Sequence, residues 1–187
     1  GIIERILIVT PGGLTKQWQE DEMGVKFNIP FTLVNRSLFT ADPNIFRTAN
    51  KVVTSIDFIS REDILSVVSN TSWDMVIFDE AHKLSAYEYG QKTYKSKRYE
   101  AAYVLSQQCE HLLLLTATPH RGRTDTFKKL LQLLDEDIFA TDDVASDRVK
   151  ELSKEGLNKF FIRRLKEDMK DWDGHPLYKN RFTKTIS

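Results

Sequence analysis

One stretch of sequence decides the fold: Asp74-Met75-Val76-Ile77-Phe78-Asp79-Glu80-Ala81-His82. Its apolar part, from Met75 to Phe78, is continuous rather than alternating, which predicts a strand buried on both faces. Two carboxylates and an imidazole follow the strand at once. Ligands of open parallel α/β sheets bind beyond the carboxyl ends of the strands. The stretch therefore predicts an α/β fold with Asp79 and Glu80 at a ligand-binding edge.

Other apolar runs of the same kind predict further strands of this sheet. They are Ile6 to Val9, Phe31 to Val34, Lys51 to Ser55 and Leu112 to Leu115. Helical segments are predicted between or after them, over Leu14 to Met23, Arg98 to Gln108, and from Thr124 or Asp125 to Leu134. Strands that alternate with helices are typical of a parallel sheet.

Two segments resemble motifs of the superfamily-two helicases. Asp79-Glu80-Ala81-His82 resembles their second, Walker B motif, and Leu112 to His120 resembles their third, in the family's order. The sequence from Leu112 to Phe139, and Phe160 to Asp168, is similar to the Swi/Snf, chromatin-remodeller branch and its bacterial members, which include RNA-polymerase recycling ATPases. The resemblance implies a three-layer RecA-like P-loop NTPase fold, with helices on both faces of a parallel sheet.

The resemblance also assigns catalytic roles and two cofactors, ATP and Mg²⁺. It implies that Asp79 holds Mg²⁺ through water and that Glu80 polarises the attacking water. His82 would connect the ATP site to the nucleic-acid side through the third motif. The coupling residues of that motif are Thr116, Ala117 and Thr118. On its own, His82 also fits a surface or helix-cap histidine.

Two further segments resemble the nucleic-acid motifs of the family, Ile6 to Glu20 and the end of the Lys51 strand. The candidate contacts are Pro11, Gly12, Gly13, Gln17, Thr54 and Ser55. Backbone N–H groups at a helix N-terminus favour a phosphate, so a glycine turn suits this role. The alternatives are an ordinary βα turn, a helix N-cap at Ser55, and a core position for Trp18, which shares a helix face with Leu14.

The segment between Lys83 and Lys97 is polar and tyrosine-rich and carries a cluster of basic and aromatic side chains. Its members are Lys92, Lys95, Lys97, Arg98, Tyr87, Tyr89, Tyr94 and Tyr99. Lysines interleaved with aromatic rings suit contacts with phosphates and bases. A solvated loop is the alternative interpretation of this segment.

Composition narrows the class of protein only moderately. Lys+Arg and Asp+Glu are both 27, so the formal net charge is zero and any basic surface must be local. Cys109 is the only cysteine, which excludes an intramolecular disulfide and fits a reducing, intracellular compartment. Together with the resemblance to the bacterial members, this predicts the cytoplasm of a bacterium or archaeon. No apolar run approaches the ~20 residues of a membrane span. The spacing of the four histidines does not suit a zinc site.

The phosphate loop G-x-x-x-x-G-K-[ST] occurs nowhere in the sequence. The resemblance places that loop before the Ile6 strand, so residues 1–140 would be a partial first motor lobe, truncated before that strand. Residues 141–187 would be a helical extension and linker toward a missing second lobe. We expect the chain alone neither to bind ATP tightly nor to hydrolyse it. The Leu112 to Leu115 strand would expose an apolar edge, and we expect self-association or a rearranged edge there.

The predicted function is part of an ATP-dependent nucleic-acid translocase that acts on double-stranded DNA. One alternative is a lobe of an RNA helicase, although such enzymes usually carry Ser-Ala-Thr where Thr116-Ala117-Thr118 stands. A second alternative is a non-catalytic scaffold module that binds nucleic acid. A phosphate-loop lysine upstream in the parent gene would distinguish the motor from the scaffold.

Overall fold

The computed structural model describes residues 3–89, 92–117, 124–136 and 139. The seven strands are β1 Ile6–Thr10, β2 Thr32–Leu33, β3 Lys51–Ser55, β4 Trp73–Phe78, β5 Ala86–Tyr89, β6 Lys92–Lys95 and β7 Cys109–Leu114. The α-helices are α1 Thr15–Gln17, α2 Arg36–Ala41, α3 Ile45–Thr48, α4 Ile56–Ile59, α5 Glu62–Ser69, α6 Lys97–Ser106 and α7 Thr124–Leu134. Every helix in this part of the chain is too short or too polar to cross a bilayer. The extension predicted over 141–187 lies outside the described residues.

Five strands form one parallel sheet in the order β2-β3-β1-β4-β7. β1 lies beside β3 on one side and β4 on the other, with Ile8 opposite both Val53 and Ile77. Every pairing in this sheet is parallel. The α/β fold with a parallel sheet is therefore confirmed, and the strand ends that follow β1, β3, β4 and β7 meet at one edge.

Both faces of the central strands are buried, because alternate residues of β1, β3 and β4 lie in or against different core clusters. Leu7 and Val9 belong to a large cluster that also includes residues of α4, α5 and α6. Ile8 lies in a smaller cluster on the other face, where Trp18 and Met23 pack against it. This arrangement explains why the apolar runs do not alternate, and it confirms helices on both faces.

The amino ends of β1 and β4 are joined by a polar clamp. Asp74 Oδ2 accepts hydrogen bonds from the backbone N–H groups of Glu4 and Arg5, at 2.7 and 2.8 Å. These bonds hold the pKa of the Asp74 carboxyl below its ordinary value. The Arg5 guanidinium lies 5.0 Å from the Trp73 ring centre and donates to the Ser72 carbonyl at 2.9 Å. The clamp fixes the register of the two strands that lead to the candidate site.

The helix after β1 differs from the regular α-helix that the sequence predicts over Leu14 to Met23. A short 3₁₀ turn, Gly12–Leu14, leads into α1, and the chain then continues as a π-helix over Trp18–Lys26. The wider π winding closes i→i+5 bonds, as in the bond from Phe27 N–H to the Glu22 carbonyl, 3.2 Å. The main-chain bonds of this helix therefore span five residues, although Lys26 still pairs with Glu22 at the i,i+4 spacing, at 2.7 Å.

The interpretation of the segment between Lys83 and Lys97 as a solvated loop is wrong. β5 and β6 form an antiparallel hairpin there, with Ala86 opposite Lys95 and Tyr89 opposite Lys92. Tyrosine and threonine favour strands, and Tyr87 and Tyr89 alternate with other residues along β5. Because most residues of these two strands are polar and exposed, no apolar run marks them as strands.

β7 is an outer strand of the described sheet and pairs only with β4 there. Leu113 is 43% exposed, and neighbouring Glu110 and His111 are also exposed. An apolar side chain on an unpaired edge favours association with another strand. Self-association through this edge stays a prediction.

Candidate functional site

The carboxylates that follow β4 lie at the carboxyl edge of the sheet, as the sequence predicts. Asp79 N–H donates to the Val9 carbonyl at 2.9 Å, so the residue is tied to the end of β1. Its Oδ1 atom accepts the Glu80 N–H at 2.8 Å. Glu80 has φ 50° and ψ 45°, a left-handed backbone conformation that few residues other than glycine adopt. Such strain is concentrated at functional sites.

Glu80, His82 and Thr116 form a compact polar cluster across the ends of β4 and β7. His82 Nδ1 lies 2.9 Å from Glu80 Oε2 and 3.0 Å from Thr116 Oγ1. The His82 side chain is only 8% exposed. The cluster is supported by the bond from Ala81 N–H to the Leu115 carbonyl, 2.8 Å. Both contacts fall on one ring nitrogen, so His82 Nδ1 joins the Glu80 carboxylate to the Thr116 hydroxyl.

Trp18 contacts the candidate metal ligand directly, which sequence reasoning did not predict. Its Nε1–H donates to Asp79 Oδ2 at 2.8 Å, across 61 positions of sequence. The indole also packs against the smaller core cluster, so the core role considered for Trp18 is only part of its function. The Gln17-Trp18 pair in the motif after β1 is the feature of the sequence that points to Trp18. The spacing of apolar residues alone does not predict a polar partner for its indole N–H.

The glycine turn after β1 and the end of β3 line one cleft of about 330 Å³. Of the predicted nucleic-acid residues, Gly12, Gly13 and Ser55 lie in it, and the sequence did not single out Lys16 and Asn35, which also line it. Ser55 Oγ accepts the Phe58 N–H at 3.2 Å, which is the N-cap that the sequence offers as the alternative. The N-cap and a ligand contact remain compatible, because a hydroxyl carries one donor and two acceptor sites.

The remaining predicted residues occupy different environments. Thr54 is fully buried, and its hydroxyl donates to the Val34 carbonyl at 2.8 Å, so in this structure it stabilises the sheet. Gln17 is exposed outside the cleft, and the Pro11 carbonyl accepts the Leu14 N–H at 2.9 Å. Ala117 is exposed. Thr118 lies outside the described residues.

The donor set at the sheet edge fits Mg²⁺ better than a transition metal. No group of three or more His, Cys, Asp or Glu side chains within the described residues could hold a metal ion. Mg²⁺ is commonly bound by one or two carboxylates, with water and phosphate oxygens as the other ligands. Asp79 can supply such a carboxylate. The phosphate loop that would hold the nucleotide is not among the residues of this sequence.

A parallel sheet with helices on both faces and carboxylates at its carboxyl edge defines an open α/β domain whose ligand lies beyond the strand ends. Its fold is shared by a Sulfolobus solfataricus SWI2/SNF2 ATPase core solved in complex with double-stranded DNA. The TM-score is 0.62 at 16% identity, over 87% of this chain and 34% of that chain.

The chain belongs to the SNF2-related domain family, whose family model matches residues 1–173. RNA polymerase-associated protein RapA of Yersinia enterocolitica is 37% identical over 145 residues, which is 74% of this chain. RapA of Yersinia pseudotuberculosis is also 37% identical over the same length. The matched region spans only 14% of the length of these relatives.

Proposed function

We propose that the chain forms part of the first motor lobe of an ATP-dependent translocase that acts on double-stranded DNA. The observation that carries this proposal is the Glu80–His82–Thr116 cluster, in which one imidazole lies within 3.0 Å of groups from the ends of two strands. Family membership and the double-stranded DNA bound by the structural relative support the same function.

In this proposal the chain's own residues position water and metal. Asp79, whose carboxylate accepts the Trp18 indole N–H, would hold Mg²⁺ through water. Glu80 accepts a proton from the attacking water, and its αL backbone directs its carboxylate toward His82. When bound, ATP would supply the bond that breaks, and Mg²⁺ would neutralise the charge of its phosphates. His82 reports the state of Glu80 to Thr116, which follows the neighbouring strand β7.

The nucleic-acid side of the proposal is the cleft lined by Gly12, Gly13, Lys16, Asn35 and Ser55. The lysine and the backbone N–H groups of the turn suit phosphate oxygens. Contacts with the backbone alone do not read sequence, which fits a motor that moves along DNA. Pro11, Gln17 and Thr54 complete the predicted set but do not line this cleft.

The test is the ATPase activity of the parent protein with duplex DNA, single-stranded DNA or RNA added. We expect duplex DNA to stimulate turnover most. Stronger stimulation by RNA would favour an RNA helicase, and absence of turnover with every nucleic acid would favour a binding scaffold. Lys16→Ala should reduce stimulation by DNA and leave basal turnover intact, whereas Lys26→Ala, which loses only a surface pair with Glu22, should change neither.

A further inference from the structure

The β5–β6 hairpin presents an aromatic face that the site described above does not use. Tyr87 lies opposite Tyr94, and Tyr89 lies opposite Lys92. Side chains alternate across a strand, so these four share one face while Ala86, which is fully buried, lies on the other. The rings of Tyr87 and Tyr94 stack with their centres 5.3 Å apart. Tyr89 is 76% exposed, so its ring is accessible to a ligand.

The opposite face of the hairpin is fixed to the core, which holds the tyrosine face outward. Ala86 belongs to the large core cluster. Lys95 lies over two tyrosine rings of α6, with its ammonium 5.9 Å from the Tyr99 ring centre and 5.0 Å from that of Tyr103. Tyr99 is itself buried. The exposed rings therefore belong to an anchored element.

A cationic cleft lies at the base of the hairpin. Ser96 N–H donates to the Ser85 carbonyl at 3.0 Å and closes the hairpin, and both serines line a cleft of about 420 Å³. The charged residues of its lining are Arg61, Lys83, Lys97, Arg98 and Asp57. In a chain with zero net charge, four cations against one carboxylate concentrate positive charge at this place.

Much of this positive charge is uncompensated. Asp57 pairs with Arg98 at 2.7 Å. Lys97 lies 3.9 Å from a glutamate that is 95% exposed, a weak interaction in water. Within the described part of the chain, Arg61 and Lys83 make no ion pair. The cleft therefore offers two free cations and serine hydroxyls to an anion, as phosphate-binding surfaces do.

We propose that this cleft and the tyrosine face together bind an unpaired segment of nucleic acid, with phosphates in the cleft and a base stacked on Tyr89. From Ser85 to Tyr89 the strand extends about 14 Å, at ~3.4 Å per residue. That distance lets a phosphate lie in the cleft while a base a few nucleotides along the same strand lies on Tyr89. A single strand is favoured over a duplex because the base faces of a duplex are already stacked. The proposal rests on the proposed function for nucleic acid as the partner.

The test is fluorescence anisotropy with the nucleotide-free 187-residue chain and three labelled ligands: oligothymidylate of about 12 nucleotides, an abasic strand of equal length and a duplex. We expect oligothymidylate to bind more tightly than the abasic strand, and duplex binding, which the cleft after β1 also supports, to be unaffected by Tyr89→Ala. Tyr89→Ala should weaken oligothymidylate binding about fivefold or more and leave abasic binding unchanged. Tyr89→Phe keeps the ring and should bind as the wild type does, which separates stacking from a folding defect.

The cleft is tested by the salt dependence of the same binding. Arg61→Ala should lower the slope of log K against log salt by about 0.7, the value for one phosphate contact on a single strand. Lys26→Ala removes a paired lysine elsewhere and should leave the slope unchanged. Equal affinity for thymidylate and abasic strands, or no effect of Tyr89→Ala on thymidylate binding, would overturn the proposal. The parent's duplex-stimulated ATPase would survive that result, so the two proposals can fail separately.

Discussion

At the scale of single residues, Glu80 combines a strained backbone with the carboxylate that the proposed chemistry requires. A left-handed conformation costs a residue with a Cβ roughly 1–2 kcal/mol relative to glycine. The surrounding bonds maintain it, since Asp79 Oδ1 accepts the Glu80 N–H and the Leu115 carbonyl accepts the Ala81 N–H. A glycine at this position would relieve the strain, and its absence indicates that the carboxylate is needed.

The strain can be measured with two substitutions at one position. The free energy of unfolding of Glu80→Gly should be about 1 kcal/mol higher than that of Glu80→Ala, so the glycine variant is the more stable. The reason is that only alanine retains the Cβ that the αL conformation disfavours. Urea denaturation of the 187-residue chain provides the measurement. At Ala41, an exposed end of α2, the change to glycine should instead destabilise the chain by up to about 1 kcal/mol. Equal stability of the two Glu80 variants would refute the αL assignment.

In the proposed mechanism Trp18 acts on the metal through Asp79, so removal of its N–H should change the dependence of turnover on Mg²⁺. Trp18→Phe keeps an aromatic ring in the core but deletes the N–H that donates to Asp79 Oδ2. Loss of such a supporting bond typically costs 10–100-fold in metal affinity or activity. We expect the Trp18→Phe variant of the parent protein to need about tenfold more Mg²⁺ than wild type for half-maximal turnover. Met23→Leu, in the same core cluster, is the packing control, and an unchanged Mg²⁺ requirement in Trp18→Phe would count against this role.

At the scale of elements, the polar clamp between β1 and β4 makes stability depend on pH. The folded-state pKa of Asp74 is lowered, chiefly by the Arg5 N–H and then by the Glu4 N–H. A lowered folded pKa contributes stability that is present above the ordinary value, about 3.9, and lost as pH falls through the folded pKa. Asp74→Asn should therefore destabilise the chain at pH 7 and differ less from wild type in acid.

Urea denaturation at neutral and acidic pH checks this prediction. The exposed Asp21→Asn removes one carboxylate elsewhere and should follow the wild-type curve. Arg5 donates to carbonyl groups and stacks on Trp73 in both variants, so the difference isolates the Asp74 carboxylate. A constant difference between Asp74→Asn and wild type at all pH values would show that its ionisation does not contribute.

Elements differed in how well the sequence predicted them. β1, β3, β4 and β7 were predicted because continuous apolar runs allow few alternatives, although β4 begins at Trp73, before the run. The π-helix depends on i→i+5 bonds and tertiary packing that no short pattern encodes. The hairpin was missed because its strands alternate polar residues with exposed tyrosines. The Trp18–Asp79 bond joins residues far apart in sequence, so only the folded sheet could bring them together.

At the scale of the whole molecule, the outer strand β7 is the feature most prone to association. Leu113 is 43% exposed on a strand that pairs only with β4 in the described sheet. We expect the 187-residue chain to dimerise with increasing concentration in sedimentation equilibrium, and Leu113→Lys to keep it monomeric, since charge blocks edge pairing. Val25→Lys changes a residue that is 79% exposed elsewhere and should dimerise as before. A wild-type chain that stays monomeric at all concentrations would exclude association through this edge.

In the proposed mechanism, Asp79 and Glu80 lie just after β4, where they hold metal-bound ATP and polarise the attacking water. The most direct measurement compares ATP binding and duplex-stimulated hydrolysis in the parent protein and its Glu80→Gln variant. The amide keeps the size of the side chain but cannot accept the proton of water. We expect Glu80→Gln to bind ATP with Mg²⁺ as tightly as wild type and to hydrolyse it at least about 100-fold more slowly. Normal turnover by Glu80→Gln would contradict it.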